Sequence, residues 1–458
     1  MIIKKIYTSL SSFEIFSLFR ERKYCFFLDS AMDPLKLGRY SFIGFDPEIT
    51  FKSKDGNVEI EENGIVKTYE ANPFDELKRL MKLYESNCDC VLPFIGGAVG
   101  YLGYDMCHHV EDLPRTAVDD VHIPDCFFGI YDGVIAIDHL NKEVYAASPG
   151  LFSDAKAWVE AAEEVIKNGK PELPHFEMNN AGEKVKLQSN FEKEDYKEAI
   201  NKIKDYIRSG DIYQANMTQR FECETKYSPY ELYFRLRTIN PAPFACYMDF
   251  GSGHIVSSSP ERFIQIRDGR VETRPIKGTR PRGNTPAEDE ANKNELLGSE
   301  KDKSELLMIV DLERNDLGRV CKTGSVKVTE LFHLEEYPTV YHLVSTVVGE
   351  LDGDVHTVDC IKAAFPGGSI TGAPKIRSMQ VIDELEPTQR NIYTGSIGYI
   401  GFNGDADLNI VIRTIVQKGD RAFFQVGGGI VWDSDAQMEY EETLHKARAL
   451  INALDAQV

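Results

Sequence analysis

An excess of positive charge is what this sequence lacks most plainly. Its 52 lysines and arginines stand against 73 aspartates and glutamates, a formal charge of −21 over 458 residues. That argues against nucleic acid as the main partner. An anionic substrate then needs a local basic patch or a metal ion. A metal-type or disulfide-type cysteine pattern is missing too. The nine cysteines are scattered and odd in number. Cys88 and Cys90 form a lone C-x-C with no second pair, so neither a zinc site nor a disulfide framework is expected. No apolar run is long enough to span a bilayer. The start, Met1 to Tyr7, lacks the apolar core of a signal peptide. The expected setting is soluble, reducing and cytoplasmic, with no membrane. There is no internal repeat and no low-complexity block.

What is present suits about two to four domains, or one large two-lobed one. Residues 1–170 read as short strands with turns, among them Lys23 to Ser30, Gly38 to Phe45, Val91 to Tyr101 and the strand–turn–strand Cys126 to Ile137. One amphipathic helix is expected over 155–167. A polar, proline-containing stretch over 171–190 reads as a linker. Over 191–458 the spacing predicts helices at 196–208, 228–240, 287–297, 300–315, 355–364, 374–385 and 433–453. Strands fill the gaps, with a hairpin-like run at 395–428. Strands joined by tight turns and interspersed with helices predict an α+β fold with large, mainly antiparallel sheets.

The chemistry concentrates in Arg274-Pro-Ile-Lys-Gly-Thr-Arg-Pro-Arg-Gly283. Gly278 permits close backbone approach to a ligand, and Thr279 supplies a hydroxyl. Like charges disfavour protonation of a lysine, so Lys277 among Arg274, Arg280 and Arg282 reads as a nucleophile. A solvated basic loop holding a phosphate is the competing reading. Asp302 with Glu305, and Glu439 with Glu442, place two carboxylates on one helix face each. Each pair alone reads as a solvated face; together they suit Mg²⁺. Phe365 to Lys375 is a glycine-rich loop entering a helix, without P-loop spacing; it reads as an anion site or a plain turn. Gly427, Gly428 and Gly429 suggest exposed amides for a carboxylate. His342 reads as a core histidine. Arg413, expected in an otherwise apolar strand, needs a bidentate anionic partner.

These residues resemble the chorismate-utilising enzymes. The matching stretches are Ser209-Gly-Asp-Ile-Tyr-Gln-Ala-Asn216, Ser257-Ser-Ser-Pro-Glu-Arg-Phe263, Pro275-Ile-Lys-Gly-Thr279, Val310-Asp-Leu-Glu-Arg-Asn-Asp-Leu317, His342-Leu-Val-Ser345, Thr371-Gly-Ala-Pro-Lys375 and residues 427–442. The resemblance implies a two-lobed β-sandwich with outer helices and an active site in the cleft. Anthranilate-forming members typically carry alanine where Lys277 stands. The lysine form resembles the aminodeoxychorismate synthase component I branch, which converts chorismate and ammonia to 4-amino-4-deoxychorismate on the way to 4-aminobenzoate and folate. Gln214 marks an ammonia-using member, since isochorismate-forming relatives have lysine there. Anthranilate synthase component I is the alternative, and a non-catalytic tryptophan-binding relative a third.

By the same resemblance, Lys277 is the nucleophile and Glu261 the acid. Gln214, Gly278, Thr279, His342, Thr371, Tyr399, Arg413, the three glycines 427–429 and Lys446 would bind substrate. Mg²⁺ would sit on Glu305 and Glu442, with Asp302 and Glu439 in support. Ser30, Arg39, Tyr40, Pro243 and Phe244 would form a tryptophan pocket, competing with an ordinary strand core. With no glutamine-hydrolysing block visible, ammonia is expected from a separate amidotransferase subunit in a heterodimer, or from free ammonium.

Overall fold

The computed structural model describes residues 1–458 except 31, 34, 87–89, 177–183 and 338–339. Cys88 and the middle of the expected linker fall outside the described residues. Two twelve-stranded sheets carry the fold. Their central pairings are antiparallel, as expected for an α+β chain. The first sheet runs Ile2–Ile6, Glu143–Ser148, Val134–Asp138, Tyr40–Gly44, Phe26–Asp29, Phe244–Asp249, His254–Ser259, Thr414–Lys418, Arg421–Ile430, Gln214–Glu224 and Gln188–Ser189. The second begins at Ile276–Pro281, Val340–Glu350, Arg270–Thr273 and Arg262–Arg267, and ends at Ile65–Glu70. Residues before 170 and after 191 share both sheets. Phe26–Asp29 pairs with Phe244–Asp249, and Gly97–Leu102 with Ser396–Gly401.

The sheets pack face to face. Phe26, Phe42 and Ile255 of the first meet Val99, Tyr101, Phe127, Ile397 and Tyr399 of the second in one buried core. Helices cover the outer faces. Glu300–Gly318 is capped by the Ser299 side chain, which accepts from the Asp302 N–H, and it buries Leu306, Ile309, Val310 and Leu317. That stripe has helical spacing and faces the second sheet. Ala436–Leu454 begins at Asp435, whose carboxylate accepts from Gln437 and Met438, and buries Thr443, Ala447, Leu450 and Leu454. Both lie within a few residues of their expected bounds. The helix Pro73–Leu83 went unread in the sequence, although Asn72 caps it, Pro73 opens it and Phe74, Leu77, Leu80 and Met81 give its buried stripe.

Two crossings set the site. Cys126–Tyr131 and Val134–Asp138 are consecutive strands, but they belong to different sheets. The turn between them is held by Asp132, whose carboxylate accepts the N–H groups of Leu151, Phe152 and Ser153. The expected hairpin-like run at 395–428 is likewise two hairpins. Ser396–Gly401 with Ala406–Asn409 lies in the second sheet, and Thr414–Lys418 with Arg421–Ile430 in the first. Residues 410–413 carry the chain across. Among the described residues, no helix is long and apolar enough to cross a membrane.

The inter-sheet core makes a direct prediction. Phe42 is 4% exposed and meets Phe94 and Tyr399 edge-on at 5.5 and 5.6 Å. Phe42→Ala should destabilise the protein by about 3–5 kcal/mol, read from denaturant unfolding.

Candidate active site

Lys277 lies on the edge strand of the second sheet. Its strand pairs Lys277 with Leu343 and Thr279 with His342, leaving Gly278 as the extra residue of a bulge. Gly278 has φ +76°, and a Cβ there would stand 2.9 Å from the Asp302 Cγ. Only glycine combines that backbone with that contact. The bulge breaks strict alternation, so 277 and 279 oppose consecutive partners rather than partners two apart. Lys277 Nζ then sits 3.3 Å from Glu305 Oε2. The three arginines near it in sequence are committed elsewhere. Arg274 pairs with Glu330 and Glu335, Arg280 with Glu295 and Asp302, and Arg282 with Asp289. The expected mutual repulsion on Lys277 is therefore corrected: each neighbouring charge has its own carboxylate, and Lys277 faces an acid.

The first sheet supplies the opposite wall. A Cβ on Gly429 would stand 2.4 Å from Gln214 Nε2 and 3.0 Å from Lys277 Nζ. A Cβ on Gly428 would stand 3.2 Å from Glu439 Oε2 and 3.7 Å from both Glu442 Oε1 and Lys446 Nζ. Lys446 pairs with Glu442 at 2.7 Å and donates to the Gly427 carbonyl at 2.9 Å. The Thr414–Lys418 strand stops pairing at Ile415↔Phe424. Beyond it, residues 425–430 have Gln214–Glu224 on one edge and, among the described residues, no strand on the other. Alternate N–H groups there are left for a ligand. Ser434 donates to Glu439 at 2.7 Å. Lys301, unnoticed in the sequence, lies 4.0 Å from Glu305; its place four residues before Glu305 on one helix was the available signal.

Glu261 and Arg413 lie where the sheets meet. Burial pushes the Glu261 carboxyl up to about 7, against the Ser369 hydroxyl, the Lys277 charge, the Ile276 N–H and the Arg413 charge. Arg413 is not in a strand, as expected, but on the crossing just before Thr414–Lys418, with φ +51°. Burial lowers its pKa, and Glu261 is the acid that acts on it. Among the described residues no carboxylate forms an ion pair with it. Burial, with Arg413 adding, takes His342 down to about 4, so its imidazole is neutral at pH 7; its Nδ1 lies 2.9 Å from Thr279 Oγ1.

Other named residues fall elsewhere. Thr371 is fully buried and donates to the Gly367 carbonyl of its own turn. Lys375 is held by Asp316 and the carbonyls of Ala364 and Pro366, which makes its loop a structural turn. Tyr399 stacks on Phe94 at 4.5 Å in the inter-sheet core. The Ser30 hydroxyl donates to the carbonyls of Tyr40 and Pro243 at 2.8 and 3.2 Å. The next strand, Phe244–Asp249, begins beside them, and Arg262 lies over the Phe244 ring. Arg39 stacks on Tyr40 and pairs with Asp138.

Among the described residues, no group of three or more His, Cys, Asp or Glu side chains is arranged to hold a metal alone. Glu305, Glu439 and Glu442 are nevertheless hard oxygen donors beside an open glycine wall. That set fits Mg²⁺ in its usual mode of one or two carboxylates plus substrate and water oxygens. Fold and site together define a two-sheet protein in which a buried acid lies near both a guanidinium that, among the described residues, has no ion pair and a lysine beside a carboxylate. The chain belongs to the chorismate binding enzyme family, which matches residues 23–452. It is 39% identical over 469 residues to anthranilate synthase component 1 of Acetivibrio thermocellus, covering 99% of this chain and 95% of that one. It is 40% identical over 452 residues to aminodeoxychorismate synthase component 1 of Bacillus subtilis, covering 97% and 94%. The crystal structure of anthranilate synthase component I from Streptococcus pneumoniae superposes with a TM-score of 0.81 at 33% identity, covering 92% and 93%.

The Glu261 environment predicts a stability slope. The folded state keeps a proton that the unfolded chain loses from its ordinary value of 4.5 upward. That stabilisation is complete below 4.5 and is lost as pH rises through about 7. Glu261→Gln should therefore flatten the fall in Tm between pH 5 and 8, measured side by side with wild type.

Proposed function

We propose that this protein converts chorismate and ammonia to 4-amino-4-deoxychorismate and water. The observation carrying the reading is Lys277, within reach of Glu305 and facing Gln214 and Gly429 across the cleft. The Gly427–Gly429 amides would hold one substrate carboxylate, and Arg413 with Tyr399 the enolpyruvyl group. As the neutral amine, Lys277 attacks ring C2, the double bonds shift and the 4-hydroxyl leaves. Glu261, whose burial raises its carboxyl to about 7 so that a large share carries a proton at neutral pH, gives that hydroxide its proton. Ammonia then adds at C4 as the C2–Nζ bond breaks, and the enolpyruvyl group is retained. Covalent attachment divides one difficult displacement into two easier ones. Glu305 and Glu442, with Asp302 and Glu439 beside them, would hold Mg²⁺, which supplies positive charge to the ring carboxylate. Ammonia would come from a glutamine amidotransferase subunit in a heterodimer. Tryptophan would bind at Ser30, Arg39, Tyr40, Pro243 and Phe244, supported by the Ser30 bridge between Tyr40 and Pro243.

Anthranilate synthesis is the second reading, and overall likeness backs it better than the first. A curated relative matching nearly the whole chain and the solved structure just described are both anthranilate synthases. Aminodeoxychorismate synthases match at the same level, so likeness does not discount Lys277.

Two experiments test the proposal. Enzyme mixed with chorismate and Mg²⁺, without ammonia, should accumulate an adduct of chorismate minus water on the peptide containing Lys277. An unmodified Lys277, with full synthesis by Lys277→Ala, would show that ammonia attacks directly. Glu305→Gln and Glu442→Gln should each lower kcat by about 10²-fold or more, the loss of a Lewis acid's charge stabilisation. Normal activity and Mg²⁺ dependence in both would remove them as ligands.

A further inference from the structure

From Ala215 to Glu224 the strand Gln214–Glu224 is paired with Arg421–Ile430 on one edge. On the other edge its partners are short: Gly372–Ala373 covers residues 214 and 215, and Gln188–Ser189 covers 221 and 222. Residues 216–220 between them have no strand among the described residues, yet they are buried. Buried ladder groups must find partners. Here three of them find side chains. The Asn216 carbonyl accepts from Arg390 Nη2 at 2.6 Å, and the Thr218 N–H donates to Glu386 Oε1 at 2.9 Å. The Arg220 N–H donates to Asn190 Oδ1 at 2.7 Å.

Arg390 and Glu386 form a two-point ion pair, at 2.9 Å from Nε and 2.8 Å from Nη2. Their side chains are 1% and 2% exposed. Arg390 Nη1 donates to the Ile370 carbonyl at 3.1 Å and to Thr394 Oγ1 at 3.3 Å, so each nitrogen of the fork is engaged. Its guanidinium lies over the Tyr104 ring at 4.7 Å. Glu386 also accepts the Thr218 hydroxyl at 2.7 Å. The pair thus presents a donor and an acceptor to successive ladder positions, as a neighbouring strand would. It also ties that strand to Ile370, whose neighbour Thr371 accepts the Asn216 N–H at 2.7 Å.

We infer that Arg390, with Glu386, is a positioning residue that stands in for a missing strand and fixes the site end of Gln214–Glu224 against the Ile370–Thr371 turn. Gln214, two residues from the clamped carbonyl, is held where it meets Gly429 beside Lys277. The catalytic consequence rests on the function proposed above; the clamp itself does not.

The test uses two variants. Arg390→Met combined with Glu386→Leu removes both charges and leaves neither buried alone. Arg390→Lys keeps the charge but cannot reproduce the planar fork. In each variant that retains wild-type circular dichroism, kcat with ammonium should fall about 10²-fold, the cost of a small misplacement of reacting groups, while chorismate affinity without ammonium stays within about threefold. A folded variant with wild-type kcat overturns the assignment. Hydrogen exchange separates this from the chemistry. The Thr218 amide should be among the slowest in the wild type and faster in a folded variant. A rapidly exchanging wild-type Thr218 overturns the clamp even if neither variant folds. Wild-type enzyme that fails to turn over chorismate would sink the proposed function while leaving the exchange result to decide the clamp.

Discussion

A lysine nitrogen held 3.3 Å from a glutamate oxygen is the contact on which this site is built. Neither partner reaches the other by its own element alone. Lys277 sits on an edge strand that is displaced by the Gly278 bulge, and Glu305 sits on a helix whose start is fixed by Ser299. The helix is seated on the second sheet by an apolar stripe, so the carboxylate is placed by core packing rather than by charge. The glycines of the facing strand then decide how near the other sheet may come. At Gly429 any Cβ would meet Gln214 and Lys277, and at Gly427 one would stand 2.4 Å from the Met217 carbonyl. Gly429 is thus the glycine that lets Lys277 of the second sheet come close, while Gly427 and Gly428 leave room for the neighbouring strand and for the last helix's Glu439, Glu442 and Lys446.

Burial does the rest of the tuning. Where residues 410–413 pass from one sheet to the other, Glu261, His342 and Arg413 are removed from water together. Desolvation disfavours each charged form. Glu261 is pushed toward its acid, His342 is driven to its neutral imidazole, and the Arg413 pKa is lowered. An arginine in that position, with no ion-pair partner among the described residues, has unspent affinity for a carboxylate. A cleft in which burial favours the Glu261 acid and, among the described residues, leaves the Arg413 guanidinium without an ion pair suits an anionic ligand.

The sequence made the helices and the chemistry-bearing loops legible, and left the sheet assignments hidden. Glu300–Gly318 and Ala436–Leu454 announce themselves through caps and a 3.6-residue stripe, which are local signals. The Asn72 cap and Pro73 announced Pro73–Leu83 equally well and were passed over among the strands around them. By contrast, nothing local says that consecutive strands such as Ala406–Asn409 and Thr414–Lys418 join different sheets. That is settled by partners far away in the chain. The same limit misled the reading of Lys277. Adjacent arginines in sequence are not adjacent charges in space, because each is drawn to its own acid. The buried ion pair of Arg390 and Glu386 carried no sequence signal beyond an ordinary i,i+4 spacing.

The central claim is that Lys277 directs the reaction to C4 of chorismate. Product analysis tests it most directly. Wild-type enzyme, chorismate, Mg²⁺ and ammonium are incubated, and the organic acids are resolved by chromatography and mass spectrometry with a coupled assay for pyruvate. The account predicts 4-amino-4-deoxychorismate with its enolpyruvyl group intact and no pyruvate. Anthranilate and pyruvate in equal amounts would contradict it.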